Sequence, residues 1–495
     1  MVVTDLLGFQ KRVADVCAGL RPAAESAPAL VAVTQAPRSM NAAVTSDAPD
    51  LVTLFGLWAE RLRGHGQPVH YMFDPDTHCE WLAIGNADTR QLPADATLSQ
   101  LAQVWDGLVR RLRGDVADVR AFFGFAFAPV GSGERGPWTS WPDARLVVPR
   151  LLMRREADGR TVATAVESVL PADDAFVVAK RLEMNLAAAG ALGHDGASDP
   201  HRQSGICQAL PDESAAPPLT EAQWCAAVSD TIADIRLDRA QKVVLARTQW
   251  LDAGDWTSRK LRRALRQLRQ EQPGTLVYAL TSGVDVFIGA SPERLARVAD
   301  GRIRVDCLAG TAKRAGGEDV RADERARADL AASEKDIAEH AHVVNAVVQG
   351  LEKFVTDMDV PQTPRVMTLA HLHHLHTPVT ARLSSDRGLL RVISHLHPTP
   401  AVAGVPRDAA FAAIARREPI WRGWYAGGVG YVAPGGDGAC FVALRCALWS
   451  RRGAHLFAGA GIVSESDPRA EWRETIAKLR TMRSALKPGG DGADV

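Results

Sequence analysis

The sequence predicts an α+β fold with large antiparallel sheets. Strand-like segments follow one another in pairs across short turns. A turn at Ser282-Gly283 separates predicted strands at 275–281 and 285–291, and a turn at Asp300-Gly301 makes a hairpin of 294–311. Helical segments interrupt these pairs but do not alternate with single strands. This order favours hairpin-built sheets over repeated βαβ units.

Composition narrows the function classes. The chain has 495 residues, of which 46% are hydrophobic and 23% charged, as expected of a folded protein with a large core. Its 58 basic and 58 acidic residues cancel, so no overall positive charge attracts nucleic acid or an anionic membrane, and neither is expected as a partner. No segment reaches the ~20 apolar residues of a membrane span, and the amino terminus lacks a signal-peptide pattern. Seven scattered cysteines without a CxxC pair favour a reducing compartment, and we expect a cytoplasmic protein.

A linker divides the chain. Residues 194–219 are rich in Pro, Ser, Gly and Asp and have no apolar period. We expect an amino-terminal α/β portion at 1–215, a second unit at 216–488 and a flexible tail at 489–495. Strands are predicted within 144–155 and 159–170, and a helix within 181–192. The first portion should complete the fold of the second and not form a separate module.

The elements after the linker follow from periodicity. Thr220 can cap a helix, a strand is predicted at 242–251, and a basic helix with buried leucines at 257–270. One long charged helix is expected at about 320–353. The remaining predicted elements are strands within 423–432, 440–450 and 455–463, and a last helix at 468–486.

The last helix carries the first chemical signal. Asp467 and Pro468 suit its N-cap and first turn. Glu471, Glu474 and Lys478 then lie at i, i+3 and i+7, on one helix face. Taken alone, this pattern favours an exposed helix with an i, i+4 Glu-Lys pair, and only the neighbouring motifs favour a functional site.

A second helix presents carboxylates in the same way. Asp336 and Glu339 in SEKDIAEH are at i and i+3. Two such helices could share a hard cation, and Mg²⁺ needs only one or two protein carboxylates beside water and ligand oxygens. The run HLHHLH from His371 to His376 invites a zinc interpretation, but alternating residues of a strand face opposite sides and no HExxH or cysteine partner is present. His376 is the better functional candidate of the four histidines.

Together the motifs resemble one family. In order, KVVLAR, ASPERL, AGTAKR, SEKDIAEH, LHTPVTARL, LHPTPAVAGVP, RGWYAGGVGYV, ALRCAL and GAGIVSESDPRAEWRETIAKL, from about 240 to 480, are similar to the motifs of the chorismate-utilising enzymes. This family includes isochorismate synthases, salicylate synthases, anthranilate synthase component I and aminodeoxychorismate synthase component I. The resemblance implies chorismate and Mg²⁺ as ligands, and an α+β fold whose core is a large two-sheet antiparallel β-sandwich flanked by helices.

Within the family the sequence looks most like an isochorismate synthase, an isomerase. HPTPAVAG at 397–404 matches that group, Lys242 is typical of members that activate water, and LAGTAKR lacks the PIKGT lysine of aminodeoxychorismate synthases. The resemblance implies water addition at C2 of chorismate with loss of the C4 hydroxyl, and no glutamine amidotransferase subunit. A salicylate synthase and an inactive chorismate-binding subunit remain alternatives; the pathway and the oligomeric state stay open.

The resemblance also assigns roles to residues. Lys242 matches the general base and Glu293 the general acid, a pair that needs opposite pKa shifts, which apolar surroundings would favour. Arg445 matches an arginine that binds a carboxylate. The implied metal ligands are Glu339 and Glu474, with Asp336 and Glu471 close by. The remaining pocket residues implied are Gly310, Thr311, His376, Tyr425, Gly459, Ala460, Gly461 and Lys478.

Overall fold

The computed structural model describes residues 6–18, 28–35, 50–93, 96–129, 134–170, 172–191, 218–314, 319–368, 372–384 and 388–487. Within these ranges the side chains of 6–8, 189–191, 335, 339 and 372 are not described. The predicted linker at 194–219 therefore falls almost wholly outside the described residues, as does the tail at 489–495.

The strands are numbered in chain order. Their bounds are β1 Ala29–Gln35, β2 Val69–Phe73, β3 Glu80–Ile84, β4 Asp88–Leu92, β5 Leu112–Gly114, β6 Ala121–Phe125, β7 Ala144–Val148, β8 Leu151–Arg155, β9 Thr161–Val169, β10 Lys242–Leu251, β11 Leu276–Ser282, β12 Asp285–Ser291, β13 Arg294–Ala299, β14 Arg302–Lys313, β15 Val355–Asp359, β16 Arg365–Thr368, β17 Leu372–Leu383, β18 Gly404–Val405, β19 Gly428–Val432, β20 Gly438–Val442, β21 Cys446–Trp449 and β22 Ala454–Ile462.

The helices are numbered in the same way. Their bounds are α1 Leu6–Ala18, α2 Leu51–Arg61, α3 Leu98–Val109, α4 Ala175–Ala191, α5 Glu221–Arg236, α6 Ser258–Glu271, α7 Val320–Ala332, α8 Glu334–Leu351, α9 Leu389–Leu396, α10 Arg407–Arg417 and α11 Pro468–Leu486. None of the helices in the described ranges combines the length and the apolar character that crossing a bilayer requires.

The strands form two large sheets, as predicted. In the described part of the chain the first has the order β18-β10-β22-β21-β12-β11-β2-β3-β8-β9-β1-β5, and the second β15-β17-β14-β13-β20-β19-β6-β7-β4, with β16 paired to β17. Neighbouring strands are antiparallel except for β1 and β5. Strands from before residue 170 enter both sheets, so the amino-terminal portion shares these sheets with the rest of the chain.

Two apolar layers hold these sheets and helices together. Between the sheets, side chains such as Trp81, Phe122 and Phe287 are buried in one cluster. A second cluster lies between the outer face of the twelve-stranded sheet and helices α2, α6 and α11, and includes Phe55 and Leu265. The α+β prediction with two antiparallel sheets and flanking helices is confirmed.

Most single elements match the prediction. Thr220 caps α5 by accepting a hydrogen bond from the Gln223 N–H, and Asp467 caps α11 by accepting one from the Ala470 N–H. The Asp300-Gly301 turn joins β13 to β14 as expected.

Two predicted elements are wrong because each is interrupted. The long helix at 320–353 is two helices, α7 and α8, that meet at Ser333, whose side chain accepts a hydrogen bond from the Asp336 N–H and so caps α8. The strand predicted at 440–450 is two strands, β20 in one sheet and β21 in the other, and the chain passes between the sheets through 443–445.

Candidate active site

A cavity of about 430 Å³ opens where the two sheets meet α8 and α11. Strands β10 and β22 of the first sheet form one wall, and β14 and β17 of the second form another. Twelve of the residues predicted for the site line this cavity: Lys242, Glu293, Gly310, Thr311, Asp336, Tyr425, Arg445, Gly459, Gly461, Glu471, Glu474 and Lys478. Residues up to 236 apart in the chain are thus brought together.

Lys242 begins β10 and is buried, with 9% of the residue exposed. Its backbone pairs with Val405 of the short strand β18. The side chain passes over Gly461 of the neighbouring strand β22: a Cβ at that position would lie 3.0 Å from Lys242 Cε and 3.5 Å from Nζ. A larger residue at 461 would therefore crowd the lysine, which explains the glycine.

Glu293 lies in the short link between β12 and β13. Its backbone is fixed at both ends, because the N–H contacts Ser291 Oγ at 3.3 Å and the carbonyl accepts from the Val442 N–H at 2.9 Å. Burial raises the pKa of Glu293 to about 7, although Lys242 and Lys478 act to lower it. The carboxyl group can therefore keep its proton near neutral pH and donate it.

Helix α11 supplies one charged wall. Lys478 Nζ contacts Glu474 Oε1 at 2.6 Å and also donates to the carbonyl of Gly459 at 2.9 Å, which ties the helix to β22. Burial raises the pKa of Glu474, but Lys478 and Arg445 outweigh it, and the pKa lies below its ordinary value. Glu474 is therefore ionised near neutral pH. Glu471, one turn earlier, accepts a hydrogen bond from Ser466 Oγ at 2.8 Å.

Arg445 lies where the chain crosses from one sheet to the other. Its backbone has φ of 48°, in the left-handed region that non-glycine residues seldom adopt. Its carbonyl accepts from the Ala290 N–H at 3.1 Å, and its guanidinium contacts the Lys478 carbonyl at 3.4 Å. Burial lowers the pKa of Arg445, yet the group remains a cation suited to bind a carboxylate.

Asp336 of α8 faces the same cavity across β14. Gly310 there has φ of 70°, and a Cβ at this position would lie 3.0 Å from Asp336 Cβ, so the glycine allows both the bend and the close approach. Ser333 Oγ donates a hydrogen bond to the Asp336 carboxylate. Glu339 lies one turn further along α8, but its side chain is outside the described part of the chain.

The carboxylates can be compared with the needs of a metal ion. Among the described side chains, no three His, Cys, Asp or Glu residues form a group that could hold a metal. The donor chemistry nevertheless fits a hard cation, because Asp336, Glu471 and Glu474 bring carboxylate oxygens into one cavity from two helices. Mg²⁺ would take one or two of them and complete its shell with water and ligand oxygens.

Among the described residues, the histidine that lines the cavity is His374, not the predicted His376. His374 Nδ1 lies 3.2 Å from the carbonyl of Gly310 and 3.0 Å from Thr311 Oγ1. Burial, with Lys478 and Arg445 nearby, lowers its pKa to about 4, so the ring is neutral near pH 7. His376 lies two residues further along β17 and contacts Asp306 at 2.8 Å. Of the predicted glycine-rich strand end, Gly459 and Gly461 line the cavity, whereas Ala460 is packed in the apolar core.

An ion pair that the sequence did not reveal supports another wall. The side chains of Arg422 and Glu418 are only 4% and 6% exposed, and Arg422 Nε donates to Glu418 Oε2 at 2.8 Å. Arg422 also donates to the carbonyls of Val402 and Val244, at 2.9 and 2.7 Å, and Glu418 accepts from the Ala246 N–H at 2.8 Å. The pair therefore fixes the segment around Val402 to β10. The sequence signal for this pair was a Glu and an Arg four residues apart. The same spacing is common on exposed helices, so it does not by itself indicate a buried ion pair.

Tyr425 closes the cavity from the side of the apolar core. Its ring stacks on Phe457, with centroids 5.3 Å apart and planes at 15°. A Cβ at Gly459 would lie 3.0 Å from the tyrosine hydroxyl, so the glycine leaves room for it. Burial raises the pKa of Tyr425, which keeps the hydroxyl neutral and able to donate a hydrogen bond.

Similar proteins were found both by sequence and by structure. The profile of the family described as "Chorismate binding enzyme" matches residues 29–487. The salicylate biosynthesis isochorismate synthase of Pseudomonas aeruginosa is 35% identical over 449 residues, which cover 90% of this chain and 89% of that protein. The isochorismate synthase MenF of Bacillus subtilis is 32% identical over 371 residues, which cover 75% and 74%.

Solved structures support the same fold. The menaquinone-specific isochorismate synthase MenF of Escherichia coli superimposes with a TM-score of 0.69 at 24% identity, over 98% of this chain and 99% of that one. Anthranilate synthase component I of Streptococcus pneumoniae gives 0.61 at 19% identity, over 95% of each chain. The chain therefore belongs to the chorismate binding enzyme family, and its predicted resemblance to the isochorismate synthases, which are isomerases, is confirmed.

Proposed function

We propose that this enzyme is a Mg²⁺-dependent isochorismate synthase, which converts chorismate to isochorismate. The observation that carries the proposal is the presence of Lys242 and Glu293 in one cavity, with the pKa of Glu293 raised to about 7 by burial. Isomerisation needs one group that takes a proton and one that gives a proton near neutral pH. The 35% identity to an isochorismate synthase over 90% of the chain supports the same reaction.

The two residues divide the proton transfers. Lys242 takes a proton from the water molecule that adds at C2 of the ring, and the ring double bonds shift as the C–O bond at C4 breaks. Glu293 gives its proton to the departing C4 hydroxyl, which leaves as water. One water enters and one leaves, so the product is an isomer, and proton exchange with solvent restores both residues.

Charged groups around the cavity suit a dicarboxylate. Arg445 offers a planar pair of donors for one carboxylate, and Lys478 adds a second cation on the α11 wall. Asp336, Glu471 and Glu474, together with Glu339, would hold Mg²⁺. Bound there, the metal would supply positive charge to the substrate carboxylate and to charge that develops in the transition state.

The proposal is tested by the product. The purified chain is incubated with chorismate and Mg²⁺, with and without ammonium, and initial products are separated by chromatography; Lys242→Ala is the matched negative control. Isochorismate alone, unaffected by ammonium and absent in excess chelator, is expected. Salicylate with an equal amount of pyruvate would instead indicate a salicylate synthase, an aminated ring would indicate an amination enzyme that works with an amidotransferase, and unchanged but bound chorismate would indicate an inactive binding subunit.

A further inference from the structure

Arg247 is a buried cation to which the proposed chemistry gives no role. It lies on β10, five residues after Lys242, and only 6% of the residue is exposed. Burial lowers the pKa of its guanidinium to about 10, which leaves the group charged near neutral pH. Among the described residues, no carboxylate lies within ion-pair distance of Arg247. A buried arginine without such a partner is costly unless its contacts compensate for lost hydration.

The contacts that Arg247 makes are with α11. Its guanidinium carbon lies 3.7 Å from the centre of the Trp472 ring, within the range of a cation–π interaction. Its Nε donates a hydrogen bond of 2.7 Å to Thr475 Oγ1. Thr475 is fully buried and its hydroxyl donates to the Trp472 carbonyl at 2.8 Å, so the oxygen can act as acceptor for Arg247. Both contacts are therefore specific to the shape and donor set of arginine.

The contacted residues directly neighbour the carboxylates that line the cavity. Trp472 follows Glu471, and Thr475 follows Glu474, in the same two turns of α11. Trp472 also contacts Trp224 of α5, with ring centroids 6.4 Å apart, so the tryptophan has a second aromatic or cationic neighbour besides Arg247. One arginine thus connects the strand that carries Lys242 to the two helical turns that carry Glu471 and Glu474.

We propose that Arg247 and Thr475 are positioning residues that set the rotation and depth of α11, and thereby place Glu471 and Glu474 relative to Lys242. This inference rests on the proposed function, because it assumes that these carboxylates bind Mg²⁺. Neither Arg247 nor Thr475 lines the cavity. They act through the carboxylates beside which they stand, as residues behind metal ligands commonly do.

The test compares variants of the two positions. Arg247→Lys keeps the charge but loses the planar contact with Trp472 and the Nε donor, and Thr475→Val keeps the volume but loses the acceptor. Thr475→Ser restores the acceptor and should rescue binding. Mn²⁺ binding in the presence of chorismate is followed by electron paramagnetic resonance, with Mg²⁺ as competitor. We expect affinity for both ions to fall about 10- to 100-fold in Arg247→Lys and Thr475→Val, and to stay within about threefold in Thr475→Ser.

Arg63 provides a matched control. Its guanidinium also lies over a tryptophan, 4.1 Å from the centre of the Trp256 ring, but it pairs with Asp255 away from the cavity. Arg63→Lys should leave metal affinity unchanged. Unchanged metal affinity in both Arg247→Lys and Thr475→Val, with native circular dichroism, would overturn the proposal, and so would equal losses in Thr475→Val and Thr475→Ser.

The two proposals fail in different ways. A wild-type chain that binds Mn²⁺ but forms no isochorismate would contradict the proposed function. The metal affinity of each variant relative to the wild type would still decide the role of Arg247 and Thr475. An active wild type with unchanged ratios would contradict the positioning role alone. A wild type that binds neither ion would contradict both.

Discussion

At the residue scale, Glu293 shows how location selects a chemical role. Six acidic residues line the cavity, yet Glu474 has a lowered pKa and Glu293 a raised one. Glu474 touches Lys478 at 2.6 Å, whereas burial dominates the environment of Glu293. Glu474 is thus held ionised, which its proposed role in metal binding requires, and Glu293 remains able to give up a proton.

The acid and base roles predict large losses of activity. Lys242→Ala and Glu293→Gln should each lower kcat by roughly 10² to 10⁴-fold, because each removes one proton transfer. Initial rates of isochorismate formation measure the effect, and far-UV circular dichroism checks that the fold is retained. Either variant at near wild-type rate would remove that residue from the mechanism.

The raised pKa of Glu293 also predicts a pH-dependent cost in stability. The pKa rises from 4.5 to about 7 on folding, so the stabilising contribution of this group is complete below about pH 4.5 and is lost as pH rises through 7. Glu293→Gln removes the titration. The variant should therefore gain stability relative to the wild type between pH 5 and pH 8, by ~1–3 kcal/mol in all.

Urea unfolding at a series of pH values measures this difference. The wild type and Glu293→Gln should diverge as pH increases. Parallel stability curves across this range would show that the pKa of Glu293 is not raised in the folded protein.

At the scale of elements, α11 presents to the cavity both carboxylates that we propose bind Mg²⁺, Glu471 and Glu474, and the proposed substrate-binding cation Lys478. Glu474→Gln removes one carboxylate charge but keeps the size of the side chain. We expect kcat/KM to fall roughly 10² to 10³-fold and the Mg²⁺ concentration for half-maximal rate to rise, because a bound cation contributes several kcal/mol to transition-state stabilisation. A Mg²⁺ titration of the initial rate checks this. Full activity of the wild type in excess chelator would refute the metal requirement itself.

The buried Glu418–Arg422 pair predicts a loss of stability. Glu418→Gln leaves the Arg422 guanidinium without its counter-charge at a position where both side chains are about 5% exposed. The free energy of unfolding should fall by ~3–5 kcal/mol. Glu156→Gln is the control at the same i, i+4 spacing, since Glu156 pairs with the exposed Arg160, and it should cost much less than Glu418→Gln. Equal losses in urea unfolding would show that burial does not govern this pair.

The elements also show what local sequence can and cannot predict. The end of α7 at Ser333 had a local signal, because Ser333 and Asp336 have the spacing of a helix N-cap, and the long charged run concealed it. The break at Arg445 had none: its positive φ occurs without glycine, and β20 and β21 separate because each pairs in a different sheet. His374 and His376 are on the same strand, and only the position of β17 along β14 decides which one reaches the cavity.

At the scale of the whole molecule, the site depends on both sheets. Lys242 belongs to the twelve-stranded sheet, and Gly310 and His374 belong to the second sheet. The family motifs predicted twelve of the cavity residues, because these motifs occur along this chain in the same order as in the family. The support from Arg422 and Arg247 was not predicted, since it consists of contacts between elements that the spacing of residues does not reveal.

The central claim is that water adds at C2 and the C4 hydroxyl leaves. The most direct test is the initial reaction of chorismate in H₂¹⁸O, with mass spectrometry of the isochorismate formed before the reverse reaction contributes. The account predicts one ¹⁸O atom in each isochorismate molecule, in the C2 hydroxyl. The Lys242→Ala variant is the control and should form almost no isochorismate, labelled or unlabelled. Unlabelled isochorismate from the wild type would contradict the account, since the oxygen would then have moved within the substrate and not come from water.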